Sequence, residues 1–211
     1  MQNRFTPIDL FTLSHFSYAE LFDGIEYVWE AIPRIGIYIN SLFESGKIKG
    51  NYSQNVFIAE GAAIDQTARI EGPTIICKNA RVGFHSYIRG NVIVGENAVV
   101  GSFVEVKNAV LMNTCKLAHF NYVSDSILGN EVRFGVGAVI ANKRVDRKPI
   151  TLKINEDKFE TGLTKFGAVV GDDARIGANA VINPGTVLGR DVLVYPLESV
   201  FGVHENGEIL K

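Results

Sequence analysis

From Ile58 onward an aliphatic residue returns at every sixth position, and that period constrains the fold more tightly than any other feature of the chain. At six-residue steps the series runs Ile58, Ile64, Ile70, Ile76, Val82, Ile88, Val94, Val100, Val106, Met112 and Ala118. It then shifts phase and resumes as Leu128, Phe134 and Ile140, and after an interruption as Val170, Ile176, Ile182, Leu188, Val194 and Val200. Four residues after most of these stands something small or β-branched, such as Ala62, Ala68, Thr74, Ala80, Ser86 or Ala98. Glycine often follows the aliphatic residue directly, as in Val82-Gly83, Val100-Gly101 and Ile176-Gly177.

A period of six matches neither the 3.6 of a helix nor the alternation of a two-sided strand. It suits a short flat strand followed by a tight corner. Three such units close a triangular coil, with the aliphatic side chain inside the prism and the small residue where the corner leaves least room. The expected fold is all-β: a parallel β-helix of hexapeptide repeats over residues 58–211, with a helical cap over 1–57 and a protruding loop at 141–167. Each coil buries its core against its neighbours, so stability behaves as a sum of near-neighbour contributions.

Composition removes several functions. Lys and Arg total 21 against 23 Asp and Glu, which leaves no basic field for nucleic acid or an anionic membrane. No charged-then-apolar leader and no long apolar run occurs, so neither export nor membrane spanning is expected. Cys77 and Cys115 form no C-x-x-C pair, and a reducing cytoplasm is the simplest setting for them.

Residues 1–57 lack the repeat. Ser17 and Glu20 read as a capping box opening a helix with Leu21, Phe22, Ile25, Val28 and Trp29 on one face. Pro33 ends or restarts it, and Ile35 to Phe43 is a second helical stretch. The expected place for this segment is the open lower end of the prism, where unpaired backbone groups would otherwise be exposed. The second break, 141–167, carries Asn142, Lys143, Arg144, Asp146, Arg147, Lys148 and Lys165 and reads as a loop reaching over the outer surface.

Among the four histidines, His119 stands out because it follows Ala118 where the six-residue phase slips, with Asn121, Tyr122 and Asp125 close by. A lone outward histidine is ordinarily a surface residue, so its neighbours must supply the argument. The run Arg89-Gly90, Phe103-Val104-Glu105-Val106-Lys107, Lys116 to Tyr122, Gly135-Val136-Gly137, Ala141-Asn142 and Lys165-Phe166-Gly167 resembles the acetyltransferase half of the bifunctional enzymes that acetylate glucosamine-1-phosphate and then uridylylate it. The longer loop, Ala141 to Asp146 with Thr161-Gly162, is closer to archaeal-type sugar-1-phosphate nucleotidyltransferases. The resemblance covers residues 57 to about 200.

This resemblance implies a left-handed helix, a homotrimer, and acetyl-CoA as acyl donor in grooves between prisms. It implies His119 as the base that takes a proton from the amine of a hexosamine-1-phosphate, a task imidazole suits near neutral pH. Arg89, Lys107, Tyr122, Arg133 and Lys165 would bind the acceptor, and Val136, Asn142, Lys143 and Ala178 would line the path of acetyl-CoA. Asn142 would also orient or polarise the reacting carbonyl. Arg89 and Lys107 are separated by one full coil, so they stack on one face, and two stacked cations call for an anion such as a phosphate. Tyr122 is expected to face the same groove as His119. Lys148 and Lys165 read equally well as phosphate ligands and as solvated loop charges.

Two positions depart from the family pattern. Arg133 replaces an asparagine that touches the sugar, and Val136 replaces an alanine beside the glycines. No Gly-rich nucleotide loop precedes the repeats, so a separate nucleotidyltransferase is an implied partner. Competing readings are an acyltransferase acting on a nucleotide sugar and a non-catalytic sugar-phosphate-binding or scaffolding trimer. A zinc site is not expected, since the repeats hold only His85 and His119, which are close to two coils apart.

Overall fold

The computed structural model describes residues 5–154 and 157–211. From Val56 the chain winds through seven full coils and part of an eighth, giving a parallel β-helix in keeping with the left-handed form expected. Three faces result. Face one stacks the strands Val56–Ile58, Thr74–Ile76 and Val92–Val94 and continues upward through Ala168–Val170 to Val203–His204. Face two is an eight-stranded sheet running from Ala63–Ile64 through Val99–Ser102 and Lys116–His119 to Ile209–Leu210. Face three carries Arg69–Glu71, Tyr87–Arg89 and, above the loop, Val181–Ile182 and Ser199–Val200. Corner A joins faces one and two, corner B faces two and three, and corner C faces three and one.

The inward series is confirmed through Val106 and again from Leu128, but Met112 and Ala118 do not point into the prism. Leu111 and Leu117 do. The register explains why: Tyr87 pairs with Glu105 across a full coil of three hexads, whereas Glu105 pairs with Tyr122 and Val92 with Ala109, each one residue sooner. At corner C the seven-residue strands Glu105–Leu111 and Tyr122–Leu128 run straight through the bend, so one residue is dropped per coil. Asn108 and Asp125 take the corner at φ 43° and 50°, a left-handed conformation that Asn and Asp tolerate better than other side chains. The phase therefore slips one coil earlier than the spacing suggests, and Met112 is buried outside the prism.

The N-terminal segment departs further from expectation, because it lies along the side of the helix and not across its end. Its residues Phe11, Phe22, Val28, Trp29, Ile32, Ile35 and Ile39 form a second core with the outward side chains of face one, Ile75, Ile93, Val110 and Ile127. Locally it contains α1 (Pro7–Leu10), the 3-10 turns Ala19–Phe22 and Val28–Arg34, and α2 (Ile35–Glu44). The Ser17–Glu20 box opens no α-helix. The reciprocal cap is instead at Thr6 and Asp9, where Thr6 N donates to Asp9 Oδ2 at 2.9 Å and Thr6 Oγ1 to the same oxygen at 2.7 Å. Pro33 falls within the turn that leads into α2, and α2 matches the expected second stretch. The loop contributes an antiparallel pair, Thr151–Ile154 with Asp157–Glu160, and Ile150, Leu152 and Phe166 extend the cover over the upper part of face one.

Asp172, buried at corner A, holds this cover in place. Its Oδ2 accepts from Thr12 N at 2.7 Å and Arg190 Nη1 at 3.3 Å, and its Oδ1 accepts from Asn130 N at 2.7 Å. Arg190 in turn donates from Nε to Asp9 O at 2.9 Å. Asp172→Ala leaves the backbone N–H groups of Thr12 and Asn130 without this partner and is expected to cost about 2 kcal/mol in a urea titration, the usual penalty for orphaned buried donors. A midpoint matching the wild type would show that apolar contact alone seats the segment.

Candidate functional site

His119 closes the strand Lys116–His119 at corner B, where its ring is exposed and has no hydrogen-bond partner among the described residues. A chain of backbone bonds fixes what stands above and below it. Phe120 N donates to Ser102 O at 3.1 Å, Gly137 N to His119 O at 2.9 Å, Asn179 N to Val136 O at 2.9 Å and Leu197 N to Ala178 O at 3.0 Å. Ser102, His119, Val136 and Ala178 therefore form one column, one residue per coil. Three of the residues singled out from the sequence are brought together in this way. Val136 is 46% exposed on that column and so projects into the path along it.

Below His119 a groove of about 570 Å³ runs down face two, lined by Ala63, Arg81, Gly101, Ser102, Lys116 and His119 among others. Along its corner B edge the rings of Phe84, Phe103 and Phe120 follow one another and are exposed, Phe84 edge-on to Phe103 at 5.4 Å and Phe103 nearly parallel to Phe120 at 5.1 Å. His85 sits in this ladder, 5.5 Å from the Phe103 ring, on the same corner as His119 but two coils lower. Sequence reasoning missed this ladder; its signal was a phenylalanine returning once per coil.

The remaining candidates lie elsewhere. Tyr122 begins the first strand of the next face, with Phe120 and buried Asn121 between it and His119, so the two flank corner B and do not share one surface. Arg89 and Lys107 stack on face three as expected, but Arg89 already has its anion: Nη1 meets Glu105 Oε1 at 2.6 Å, and the carboxylate raises the guanidinium pKa. Arg133 is on face two beside Lys116 and Arg175 in register, 3.7 Å from Glu131. Lys143 lines a cavity of about 340 Å³ with Arg144, Asn183, Pro184 and Phe201, and the Arg144 guanidinium holds the neighbouring Asp146 carboxyl down at about 2.

Lys107, Asn142 and Lys165 gather at corner C. Asn142 Nδ2 donates to Asp125 Oδ2 at 2.5 Å, while its backbone carbonyl accepts from Phe166 N at 3.0 Å and closes the root of the loop. Asn108 Nδ2 donates to the other oxygen, Asp125 Oδ1, at 2.8 Å. Asn91, Asn108, Asp125 and Asn142 recur once per shortened coil and form a polar ladder along the corner. His119 and Asn142 thus stand on opposite edges of face three. A single chain does not assemble them into one site, because a triangular coil sends residues that are not a whole number of coils apart to different corners.

Coils of this six-residue period, stacked in parallel on three faces, define a hexapeptide-repeat β-helix protein. The chain belongs to that family: residues 70–156 match the GMPPB C-terminal domain and residues 167–195 the hexapeptide repeat of succinyl-transferase. It is 37% identical over 153 residues to a bifunctional sugar-1-phosphate nucleotidylyltransferase/acetyltransferase of Sulfurisphaera tokodaii, covering 70% of this chain and 38% of that protein. It is 34% identical over 170 residues to the bifunctional protein GlmU of Methanococcus vannielii, covering 79% of this chain and 41% of that one. The chain thus spans about two fifths of the length of these curated relatives. A solved Bacillus cereus protein described as an acetyltransferase shares the fold, with a TM-score of 0.53 at 20% identity over 67% of this chain and 73% of that one.

Proposed function

We propose that this chain transfers an acetyl group from acetyl-CoA to the amine of a hexosamine-1-phosphate. The observation that carries the reading is the exposed imidazole of His119, without a hydrogen-bond partner among the described residues, at the head of a groove and below Val136 and Ala178 in their column. The names of the relatives supply the reaction class. His119 takes a proton from the acceptor nitrogen as that nitrogen attacks the thioester carbon. The C–N bond forms, the C–S bond breaks, and the departing thiolate takes the proton from His119.

We further propose that the site is completed by a second copy of the chain, in a trimer. Face one is covered by the N-terminal segment and the loop, which leaves faces two and three, and the corner between them that bears His119, for association. Packing corner C of a neighbour against corner B would bring Lys107, Asn142 and Lys165 to the groove. Arg133, beside Lys116 and Arg175, would then meet an anionic part of a substrate. A separate nucleotidyltransferase would consume the acetylated product.

The test is release of free thiol from acetyl-CoA by the purified protein in the presence of glucosamine-1-phosphate. Burial pushes the Cys77 thiol up to about 12 and the fully enclosed Cys115 higher still, so a thiol reagent at neutral pH reads coenzyme A and not the protein. No acceptor-dependent release across a panel of amino-sugar phosphates and nucleotide sugars would favour the scaffolding reading.

A further inference from the structure

A cavity of about 410 Å³ lies between α2 and corner C, with Pro33, Gly36, Ile37 and Asn40 on one wall and Asn91, Lys107, Asn108 and Asp125 on the other. A second lobe of about 260 Å³ shares Pro33, Asn108 and Asp125 with it and reaches Lys165 under the loop. The larger lobe falls within the size range of small-molecule sites, and Asn40, Asn91, Lys107, Asn108 and Asp125 supply polar groups to its lining. The helix approaches the corner closely: a Cβ on Gly36 would stand 2.6 Å from Asn91 Oδ1.

The chemistry of the lining is specific. Lys107 and Lys165 are in no ion pair among the described residues, so their charges are free for an anion. Both oxygens of Asp125 are already occupied by the amides of Asn108 and Asn142, which limits its pull on other donors. The side-chain amides of Asn40 and Asn91 are half-buried and make no side-chain hydrogen bond among the described residues. Paired amides offer donors and acceptors to hydroxyl groups, and ammonium groups suit a phosphate. A polyol carrying one phosphate fits both demands together.

We infer that α2 forms one wall of the acceptor subsite, and that Asn40 on it selects a phosphorylated sugar over either fragment alone. The inference rests on the acceptor role proposed above for Lys107 and Lys165. It gives the segment covering face one a part in substrate choice as well as in stability.

Calorimetric titration of the full chain with glucosamine-1-phosphate, inorganic phosphate and unphosphorylated glucosamine, without acetyl-CoA, tests it independently of turnover. The wild type is expected to bind the phosphorylated sugar at least about tenfold more tightly than either fragment, the worth of one or two added hydrogen bonds. Asn40→Asp, which removes the amide donors and adds a negative charge to a subsite that takes a phosphate, should weaken that binding by about tenfold or more, and Asn40→Ala by about fivefold. In turnover both variants should raise KM for the acceptor and leave KM for acetyl-CoA unmoved. Equal affinities in wild type and both variants, each with an unchanged melting curve, would overturn the inference even if thiol release proceeds. Failure of the wild type to bind any of the three probes overturns it as well. Binding with the expected pattern but no thiol release would sink the proposed reaction and leave the subsite standing.

Discussion

His119→Ala is expected to lower acetyl transfer by about 10²- to 10⁴-fold while leaving the melting curve of the protein in place. Both halves of the expectation come from position. The imidazole is exposed at corner B and bonded to nothing among the described residues, so its removal opens no cavity and orphans no buried group. Its carbonyl, which accepts from Gly137 N at 2.9 Å, survives the substitution and keeps the corner intact. The loss should appear in kcat with KM for acetyl-CoA little changed, since the column of Val136 and Ala178 is untouched. A His119→Ala protein that releases thiol at the wild-type rate would falsify the assignment of the base. In that case the aromatic ladder with His85 becomes the next place to look.

Gly101→Ala should act on the fold itself, at a cost of about 3 kcal/mol or more by urea titration. Gly101 lies in the strand Val99–Ser102, directly under Lys116–His119, in the part of the helix where each coil loses one residue. A Cβ built on it overlaps the carbonyl oxygen of Ala118. Backbone cannot swing aside as a side chain can, so one of the two strands must shift. Ala118 precedes His119, and any folded remainder should therefore have a displaced imidazole and at least about tenfold lower turnover, the penalty of a misplaced reacting group. Gly83→Ala is the internal comparison: its Cβ would meet Gly101 C at 3.0 Å, a tight contact without overlap, and its effect should be smaller. Similar stability for the two variants would mean that the coil spacing near Ala118 yields more readily than the backbone geometry implies.

How far the sequence could be read depended on whether a feature is local or assembled. Ile76, Val82 and Ile88 announce their inward direction by spacing alone, because each coil repeats the same short strand and corner. Met112 was misplaced because a dropped residue at Asn108 leaves the next aliphatic looking in phase for one more step. The lateral position of the N-terminal segment also had a visible signal. Triplets such as Thr74-Ile75-Ile76 and Val92-Ile93-Val94 are buried throughout, as expected of a strand covered on both faces, whereas Arg81-Val82 on face two is buried only inward.

The site divides along the same line. Ser102, His119 and Val136 fall into one column because each stands 17 residues from the next, close to one coil, and spacing can reveal that, whereas Ala178 joins the column 42 residues on, after the inserted loop, and only the register places it there. Asp125 gathering Asn108 and Asn142, and the cavity between corner C and α2, depend on contacts between segments distant in the chain.

The sequence by itself determined the coiled architecture, the interruption at 141–167 and the residue types available for acyl transfer. Each of these follows from a period or a motif that a short stretch of chain carries within itself. Only the tertiary structure decided that the N-terminal segment seals face one, that Glu105 takes up the charge of Arg89, and that His119 and Asn142 stand on different edges. These outcomes depend on which corner each residue reaches after the dropped residues and the inserted loop. That position accumulates along the coil, so it is settled by the register of the whole stack and not by any single repeat.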